Sequence, residues 1–419
     1  MGDSRGDEGR RPLDAHAVRQ GNLALVLDAV VRSPSVSQPE LVQVTGLKKA
    51  TVSRLLEELV RLGWVRVCGA APGLVGRPRV LFEPDPALGL VVGARISIEG
   101  VSGLVVDFGG RERARGTHAV DVRGIPQPEV AATLARTLGE LLDGLGADHP
   151  PVVGAALAVS GVVDAGVLGY TPGLDWPDRD VAGMLRAALD GHLADGAPLL
   201  VDNDTRFAAV GEQRYGVAAG VGDFVHLLGD LGVGGGVVVD GRLFRGTRGA
   251  AGEVGHVSVA LDGPRCRCGK VGCWATFVGR DELAKHAQAA RDAGRASTMW
   301  SAPLTPDGVL AAARLGDEVA QECVATVRRY LAAGIGNLVS VYDPELVVLG
   351  GFLGAAFGDE LPALRAEIDD WLMGGGAYTD VRLETSRVPD APLWGGAWLV
   401  HERLIGAPRA DARLSRTAP

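Results

Sequence analysis

The feature that most constrains the fold of this chain is an alternation of strand-like and helix-like segments that begins at Leu88. Short β-branched runs alternate there with alanine- and leucine-rich segments of helical length, and glycine turns separate them. This alternation is typical of α/β domains, in which helices cover a sheet. It forms two successive blocks, residues 88–200 and 201–405, which predict two α/β lobes around a cleft.

The elements predicted in these blocks follow from β-branched runs and from the spacing of apolar residues. The strands are Leu90–Ile98, Val101–Val106, Val152–Val159, Leu199–Val201, Phe224–Leu228, Gly236–Val239 and Leu346–Gly350. The helices are Val130–Leu145, Arg206–Tyr215, Asp281–Ala293 and Val319–Val341. A chain of 419 residues that is 47% hydrophobic and 22% charged can bury more than one core, which excludes a disordered protein.

The N-terminus carries no targeting pattern. Residues 1–11 are polar and mixed in charge, so they resemble neither a signal peptide nor a transit peptide. No run of the sequence approaches the roughly 20 apolar residues of a membrane-spanning helix. We therefore predict a cytoplasmic protein with a disordered tail at 1–15 and a flexible tail at 406–419.

Residues 16–83 carry a separate pattern of three helices and a hairpin. Apolar residues recur at helical spacing from Leu23 to Val31, and Ser37–Glu40 reads as a capping box before a short second helix. Gly46 supplies a tight turn before a third helix. That helix runs from Lys49 to about Leu62, and its predicted buried residues are Val52, Leu55, Leu56, Leu59 and Leu62.

Two strands, Gly63–Val67 and Arg79–Phe82, follow the third helix. Helix, helix, turn, helix and hairpin is the order of a winged helix-turn-helix, and the alternative is another small helical domain. The segment Pro84–Pro86 is the predicted hinge between this head and the α/β body.

Charge and polar side chains favour DNA as the partner of the head. Residues 1–82 carry a formal charge of +4, which leaves −13 on the remainder of the chain, so the body repels phosphate. A helix start can read base edges in the major groove, and an arginine on a slender loop fits a narrow minor groove. The candidate DNA-binding residues are Lys48, Lys49, Thr51, Ser53 and Arg54 on the third helix, and Gly76, Arg77 and Pro78 in the loop of the hairpin.

Three of the five cysteines lie close together in a pattern that suits a metal. The cysteines are Cys68, Cys266, Cys268, Cys273 and Cys323. An odd count with three thiols inside Cys266–Cys273 is a poor disulfide framework. These three thiolates and His256, ten residues upstream, can fill a tetrahedral zinc site, and a closed site of this kind is structural. The alternative is three unpaired thiols in a loop.

Several motifs together resemble the ROK family of sugar kinases and sugar-responsive repressors. They are Ser37–Arg66, Gly252–His256, Cys266–Cys273 and Asp343–Gly351, and the resemblance covers about residues 16–405. It implies an α/β fold in which the winged helix-turn-helix precedes a two-lobed actin/hexokinase-like (ribonuclease H-like) domain. The head places the chain with the repressor branch, similar to xylose and N-acetylglucosamine repressors. The resemblance further implies a sugar effector, a zinc ion that organises its site, and a homodimer or homotetramer on inverted-repeat operators.

One departure from the family bears on catalysis. Active kinases of this kind begin with Asp-x-Gly-Gly-Thr, which handles Mg²⁺ and the phosphates of ATP. Here Gly93–Glu99 has no aspartate, and Arg95 and Ser97 stand where a phosphate needs bare backbone. We therefore predict that phosphoryl transfer is lost and that the chain is not an enzyme, although the glycine loop Gly232–Gly236 remains.

The resemblance also provides candidate effector-binding residues: Asn203, Asp204, Arg206, Glu253 and His256. Asp204 is the relic of the kinase base. Three usual polar partners of the sugar are replaced, by Gly173, Arg206 and Ala275. Each lost hydrogen-bond partner costs about 1–3 kcal/mol. We therefore hypothesise that Arg206 redirects the site to an anionic sugar derivative, while the alternative is that Arg206 pairs with Asp204 in a vestigial pocket.

Together these features predict a DNA-binding transcriptional regulator, a repressor of carbohydrate-related genes with a sugar-sensing body. One alternative is an ATP-dependent, glucokinase-like sugar kinase with an accessory head. Another is a ligand-independent regulator whose sugar pocket is vestigial.

Overall fold

The head is a small helical unit closed by a three-stranded sheet. The protein is described here by a computed structural model that covers residues 15–71, 79–164, 166–171, 174, 176, 179–230 and 232–408. The head elements are α1 (Ala15–Val31), β1 (Val36–Ser37), α2 (Gln38–Thr45), α3 (Lys49–Arg61), β2 (Val65–Ala71) and β3 (Arg79–Pro84). Strands β2 and β3 form the predicted hairpin, and β1 pairs antiparallel with β3, with Val36 opposite Phe82. The winged helix-turn-helix prediction is confirmed.

Local sequence signals fix the helices of the head. The Glu40 carboxylate accepts from the Ser37 backbone N–H at 2.7 Å, as the capping box predicts, and also from the Ser37 hydroxyl at 2.7 Å. Gly46 adopts φ +69°, a left-handed conformation that costs little only in glycine, so α2 ends there. The apolar face of α3 is buried as predicted, except that Leu62 at its C-terminus is only half-buried.

The body follows a short 3₁₀ turn at Pro86–Leu88. Its first half contains β4 (Leu90–Ser97), β5 (Gly100–Asp107), β6 (Glu112–His118), α4 (Gln127–Asp143), β7 (Val152–Val159), β8 (Val163–Asp164), β9 (Val167–Leu168), α5 (Val181–Ala188), β10 (Leu199–Asn203) and α6 (Asp204–Tyr215). Its second half contains β11 (Phe224–Gly229), β12 (Val233–Val239), β13 (Arg242–Leu243), α7 (Ala275–Val278), α8 (Arg280–Asp292), α9 (Pro306–Arg314), α10 (Glu318–Tyr342), β14 (Leu346–Gly350), α11 (Gly351–Phe357), α12 (Leu361–Asp369), β15 (Arg382–Thr385) and α13 (Ala391–Gly406). Further 3₁₀ turns lie at Val254–His256, Thr298–Ser301, Gly358–Glu360 and Met373–Gly376.

Each lobe is built on a five-stranded mixed sheet, and the two sheets share one topology. The strand orders are β10-β7-β4-β5-β6 in the first lobe and β13-β12-β11-β14-β15 in the second. In both sheets the first three strands along the chain are antiparallel, and the last two lie parallel to the first on its other side. The predicted two-lobed α/β fold is confirmed, and its two halves are structural repeats.

Two elements of the first lobe differ from the sequence expectation. Strand β6 was not predicted, because its residues are mostly polar and lie exposed or half-buried at the sheet edge, where no apolar run is needed. The C-terminal helix α13 packs against α6, β4 and β7, so it belongs to the first lobe rather than to a second lobe of residues 201–405. The close approach of α6 and α13 depends on Gly395, where a Cβ would overlap the carbonyl oxygen of Phe207.

One apolar cluster joins the head to the first lobe. It runs from Leu27 and Trp64 in the head to Phe108 and Val400 in the body. The rings of Trp64 and Phe108 meet edge to face with centroids 5.4 Å apart. The head is therefore seated on α13 and on the end of β5. Among the described helices, none combines the length and the apolar character that crossing a membrane requires.

Candidate functional site: a cavity beside a cysteine-rich loop

A cavity of about 400 Å³ lies between the two lobes, at the start of α6. Its first-lobe wall is Ser160 and Gly161, which follow β7, and its second-lobe wall includes the glycine segment 232–234. Its acidic and amide lining is Asn203, Asp204, Asp230, Glu253, Asp281 and Glu282. Cavities of this size commonly bind small molecules through a few polar groups fixed by the fold.

The start of α6 holds Asn203 and Asp204 in the cavity. The Asn203 side chain caps the helix by accepting from the Thr205 N–H at 2.9 Å, and its amide donates to the Gly161 carbonyl at 2.9 Å. Both residues are more than 90% buried. Two of the effector residues predicted from the sequence are thus fixed side by side in the cavity wall.

Arg95 lies between two carboxylates at the inner end of the cleft. Its guanidinium contacts Asp204 at 3.3 Å and Asp230 at 3.1 Å, and its side chain is only 13% exposed. We call these three residues the Arg95 cluster. Burial raises the pKa of Asp230 to about 6, against the opposing effect of Arg95. The cluster joins β4 of the first lobe to the residue that follows β11 of the second.

Asp230 was not among the residues predicted from the sequence, although a signal for it exists. It follows strand β11, which occupies the same place in its sheet as β4 does in the first lobe. Ser97, the other residue predicted to obstruct a phosphate, is 6% exposed and accepts from the Glu99 N–H at 3.2 Å. Side chains therefore fill the place where the kinase motif needs bare backbone.

The structure corrects the predicted role of Arg206. Its guanidinium pairs with Asp202 at 2.7 Å and donates to the carbonyls of Val163 and Gly249. The side chain is 2% exposed and does not line the cavity. Arg206 therefore does not redirect the cavity to an anion, and its carboxylate partner is Asp202 rather than Asp204.

Glu253 and His256 bring the cavity next to the cysteine-rich loop. Both line the cavity, and the His256 Nε2 lies 4.0 Å from a Glu253 carboxylate oxygen. Burial raises the pKa of Glu253 above its ordinary value. The other ring nitrogen of His256, Nδ1, faces the Cys266 thiol at 3.6 Å. One imidazole therefore connects the cavity to the thiols.

The four predicted metal ligands meet at one point. One ligand atom from each of His256, Cys266, Cys268 and Cys273 lies within 4.8 Å of all the others. The loop can turn so tightly because Gly272 has φ +68°, and a Cβ there would overlap the carbonyl oxygen of Ala260. Three thiols and one imidazole at this separation form a set that can bind a tetrahedral metal ion.

The residues that replace the family's usual sugar partners differ in whether they line the cavity. Ala275 lines the cavity, so one wall is apolar where the family carries a carboxylate. Gly173 lies outside the described residues.

The cavity lining also includes three cations that were not predicted from the sequence: Arg265, Arg267 and Lys285. Lys285 pairs with Glu282 at 2.5 Å, which compensates its charge.

The DNA-contact candidates on α3 lie on the outer face of the head. Lys48, Lys49 and Arg54 are exposed, and Thr51 and Ser53 are half-buried. Lys48 occupies the N-cap position without a side-chain cap, as its chemistry requires. Gly76, Arg77 and Pro78, the residues predicted in the wing, lie outside the described residues.

Comparisons with known proteins agree on both parts of the chain. A model described as the ROK family matches residues 112–403, and one described as the MarR family matches residues 23–73 of the head. A putative xylose repressor from Caldicellulosiruptor sp. (strain Rt8B.4) is 27% identical over 388 residues, covering 89% of this chain and 93% of its own length. The glucokinase of Streptomyces coelicolor is 29% identical over 287 residues, covering 64% of this chain and 88% of its own.

The fold is also similar to that of a solved regulator. The crystal structure of a ROK family transcriptional regulator, a homolog of the E. coli MLC protein, covers 93% of this chain and 97% of its own, with a TM-score of 0.78 at 24% identity. That likeness supports the arrangement of head and body described above. Because the ROK match extends over more than half of the sequence, this protein belongs to the ROK family.

Proposed function

We propose that this protein is a sugar-responsive, DNA-binding transcriptional repressor of carbohydrate-related genes. The observation that carries this function, rather than sugar phosphorylation, is the Arg95 cluster. A guanidinium bound to Asp204 and Asp230 keeps both carboxylates from holding a metal-bound phosphate or activating a hydroxyl. The cleft keeps a cavity for a ligand but has lost the arrangement that would phosphorylate one. A relative that matches 89% of this chain carries a repressor's name.

A neutral sugar is the effector class that the cavity lining favours. Carboxylate and amide oxygens of Asn203, Asp204 and Glu253 are suited to accept from hydroxyl groups. Arg206, the cation that would attract an anionic derivative, is paired with Asp202 and does not line the cavity. Acidic groups dominate the inner end of the cavity and disfavour an anion there.

The cysteine-rich loop fits a structural Zn²⁺ ion. Three thiolates and one imidazole are ligands that zinc prefers, and four protein ligands leave no open position for chemistry. His256 would then be held by the metal through Nδ1 while its Nε2 side faces the cavity. The metal would thus fix one wall of the effector site.

For the head, we propose that Lys48 and Lys49 contact phosphates and that Thr51, Ser53 and Arg54 face base edges. Repressors with such heads bind inverted repeats as symmetric dimers, so we propose a homodimer or a dimer of dimers. Binding to the chromosome would place the protein in the cytoplasm.

The experiment that tests this function is selection of duplex DNA by the purified protein, followed by binding assays on the selected and on random sequences. We expect a recovered inverted repeat, and we expect Arg54→Ala to reduce discrimination between the two DNAs by about 1–3 kcal/mol. Arg61→Ala is the matched control, because Arg61 is an exposed cation at the far end of α3. Loss of affinity for both DNAs alike in Arg54→Ala would contradict base reading.

The kinase alternative is tested on the same preparation. ADP release is measured with ATP, Mg²⁺ and a panel of neutral hexoses and pentoses. We expect no turnover above the buffer rate. Steady sugar-dependent turnover, together with failure to select any DNA sequence, would overturn the proposed function.

A further inference from the structure

Helix α6 connects the effector cavity to the DNA-binding head by a single rigid element. Its first residues, Asp204 and Thr205, line the cavity. Near its other end, Arg214 contacts the head and Tyr215 packs on α13, about 15 Å away at the rise of an α-helix. Every residue from Asp204 to Glu212 is buried, and only the last turn reaches the surface, with Gln213 and Arg214 half-buried and Tyr215 exposed.

At the head, Arg214 contacts the last residue of α1. Its guanidinium donates to the Val31 carbonyl at 3.3 Å and lies over the Trp398 ring, 4.0 Å from the centroid. A cation at a helix C-terminus is favourable because the last carbonyls carry partial negative charge. Arg214 therefore bonds α6 to α1 and packs against α13 at the same point.

Helix α13 supports the same contact from the other side. Trp398 also lies near Arg32 of the head, 5.4 Å from the guanidinium carbon, and Arg32 pairs with Glu402 at 3.5 Å. The backbones of α6 and α13 are in direct contact at Gly211 and Gly395, where neither helix has room for a Cβ atom. A shift of one helix therefore displaces the other.

At the cavity, the start of α6 is held by the Arg95 cluster. Any change in the partners of Asp204 acts on the first turn of α6, and the buried helix carries the displacement to its last turn. From this continuity we propose that α6 transmits the state of the cavity to the head and that Arg214 is the positioning residue that couples it to α1. This inference rests on the proposed function, since it names how that cavity would regulate that head.

The test uses hydrogen exchange of the full-length protein and needs neither sugar nor DNA. The reporters are the amides of Arg32 and Ser33, which bond to the carbonyls of Asp28 and Val30 at the end of α1. Asp204→Asn removes one charge partner of Arg95 at the cavity. We expect it to speed exchange of the reporters by about fivefold or more, and by less than about twofold in an Arg214→Met background.

Three comparisons separate coupling from general destabilisation. Glu367→Gln removes one charge partner of Arg328 where α12 packs on α10, outside the cavity, and should leave the reporters unchanged. Arg214→Lys keeps a cation near the Val31 carbonyl and should restore part of the response to Asp204→Asn. This variant also serves if Arg214→Met does not fold.

Unchanged reporters in Asp204→Asn would overturn the inference. So would an equal response in the Arg214→Met background, because the effect would then pass through α13 without Arg214. If the response to Asp204→Asn is as small in the Arg214→Lys background as in the Arg214→Met background, the cation is not the coupling group. Sequence-specific DNA binding without this coupling would overturn the inference alone, whereas coupling without any specific DNA binding would overturn the proposed function alone.

Discussion

Two neighbouring parts of the cleft, which meet at the start of α6, have opposite chemistry. We call the part beside the cysteine-rich loop the outer end and the Arg95 cluster the inner end. At the outer end, His256, Glu253 and Asn203 line a cavity, and the cysteine-rich loop beside it brings together three thiols and an imidazole that could hold a metal ion. At the inner end, Arg95 fills the space between the lobes and binds two carboxylates. The outer end therefore offers polar groups and thiols to a ligand, while at the inner end the two carboxylates are already paired with a cation of the chain.

Under the proposed function, this difference would let one fold keep recognition and lose catalysis. Binding a neutral sugar requires only fixed acceptors and donors, which the start of α6 and the 3₁₀ turn at Val254–His256 provide. Phosphoryl transfer requires Mg²⁺, which arrives bound to the phosphates of ATP. The carboxylates of the protein must therefore be free to bind that ion. The Arg95 guanidinium occupies both carboxylates, so that requirement is not met, and it also connects the two lobes.

The largest expected effect is at the outer end, on removal of the metal. Cys266→Ser should lose one equivalent of bound zinc, because an alcohol is a poor ligand beside thiolates. With zinc present at about a thousand times its dissociation constant, the lost binding corresponds to about 4 kcal/mol of stability. Zinc content by atomic absorption and the free energy of unfolding in urea measure the two losses.

The control for this variant is Cys68→Ser, since Cys68 is exposed and lies outside the cluster. It should keep both the metal and the stability of the wild type. Retention of one tightly bound equivalent by Cys266→Ser would show that the four-residue set is not the metal site.

The next largest effect is at the inner end, on removal of Arg95. Arg95→Met leaves Asp204 and Asp230 buried without their cation, and breaking a buried pair in this way costs about 3–5 kcal/mol. Arg113→Met is the matched control, because Arg113 pairs with Asp107 at 3.6 Å but is 44% exposed. Urea unfolding at pH 7.5 measures both. Equal, small losses in the two variants would mean that the Arg95 cluster does not hold the lobes together.

Much of this contrast could be predicted from the sequence, for different reasons at the two ends. The metal ligands are local, since three cysteines within eight residues and one nearby histidine can meet with little help from the rest of the fold. The obstruction at Arg95 was also predicted, because a side chain where a phosphate needs bare backbone is visible in the sequence. Its partners were not, since Asp204 and Asp230 are brought to it by pairing across two lobes.

The wrong prediction that Arg206 lies in the pocket also came from a contact that only the folded structure defines. Its position two residues after Asp204 suggested a side chain in the pocket, but successive residues of a helix point in different directions. The charge of Arg206 is satisfied at i−4 by Asp202, on the strand before the helix. The packing of α13 on the first lobe was likewise out of reach, since no local pattern says which of two repeated sheets a final helix will cover.

The smallest of these effects is a pH dependence of the free energy of unfolding, which arises from the titration of Asp230. Its pKa is raised by burial to about 6, from an ordinary value near 3.8, so the folded protein binds this proton more tightly than the unfolded chain does. That contribution is complete below the unfolded pKa and is lost as the pH rises through about 6. Asp230→Asn cannot ionise, so its stability relative to the wild type should increase between pH 4 and pH 6, by on the order of 2 kcal/mol. Urea unfolding of both proteins across this range measures the difference, and a constant difference would mean that Asp230 is ionised throughout and that the inner end is a fully charged cluster.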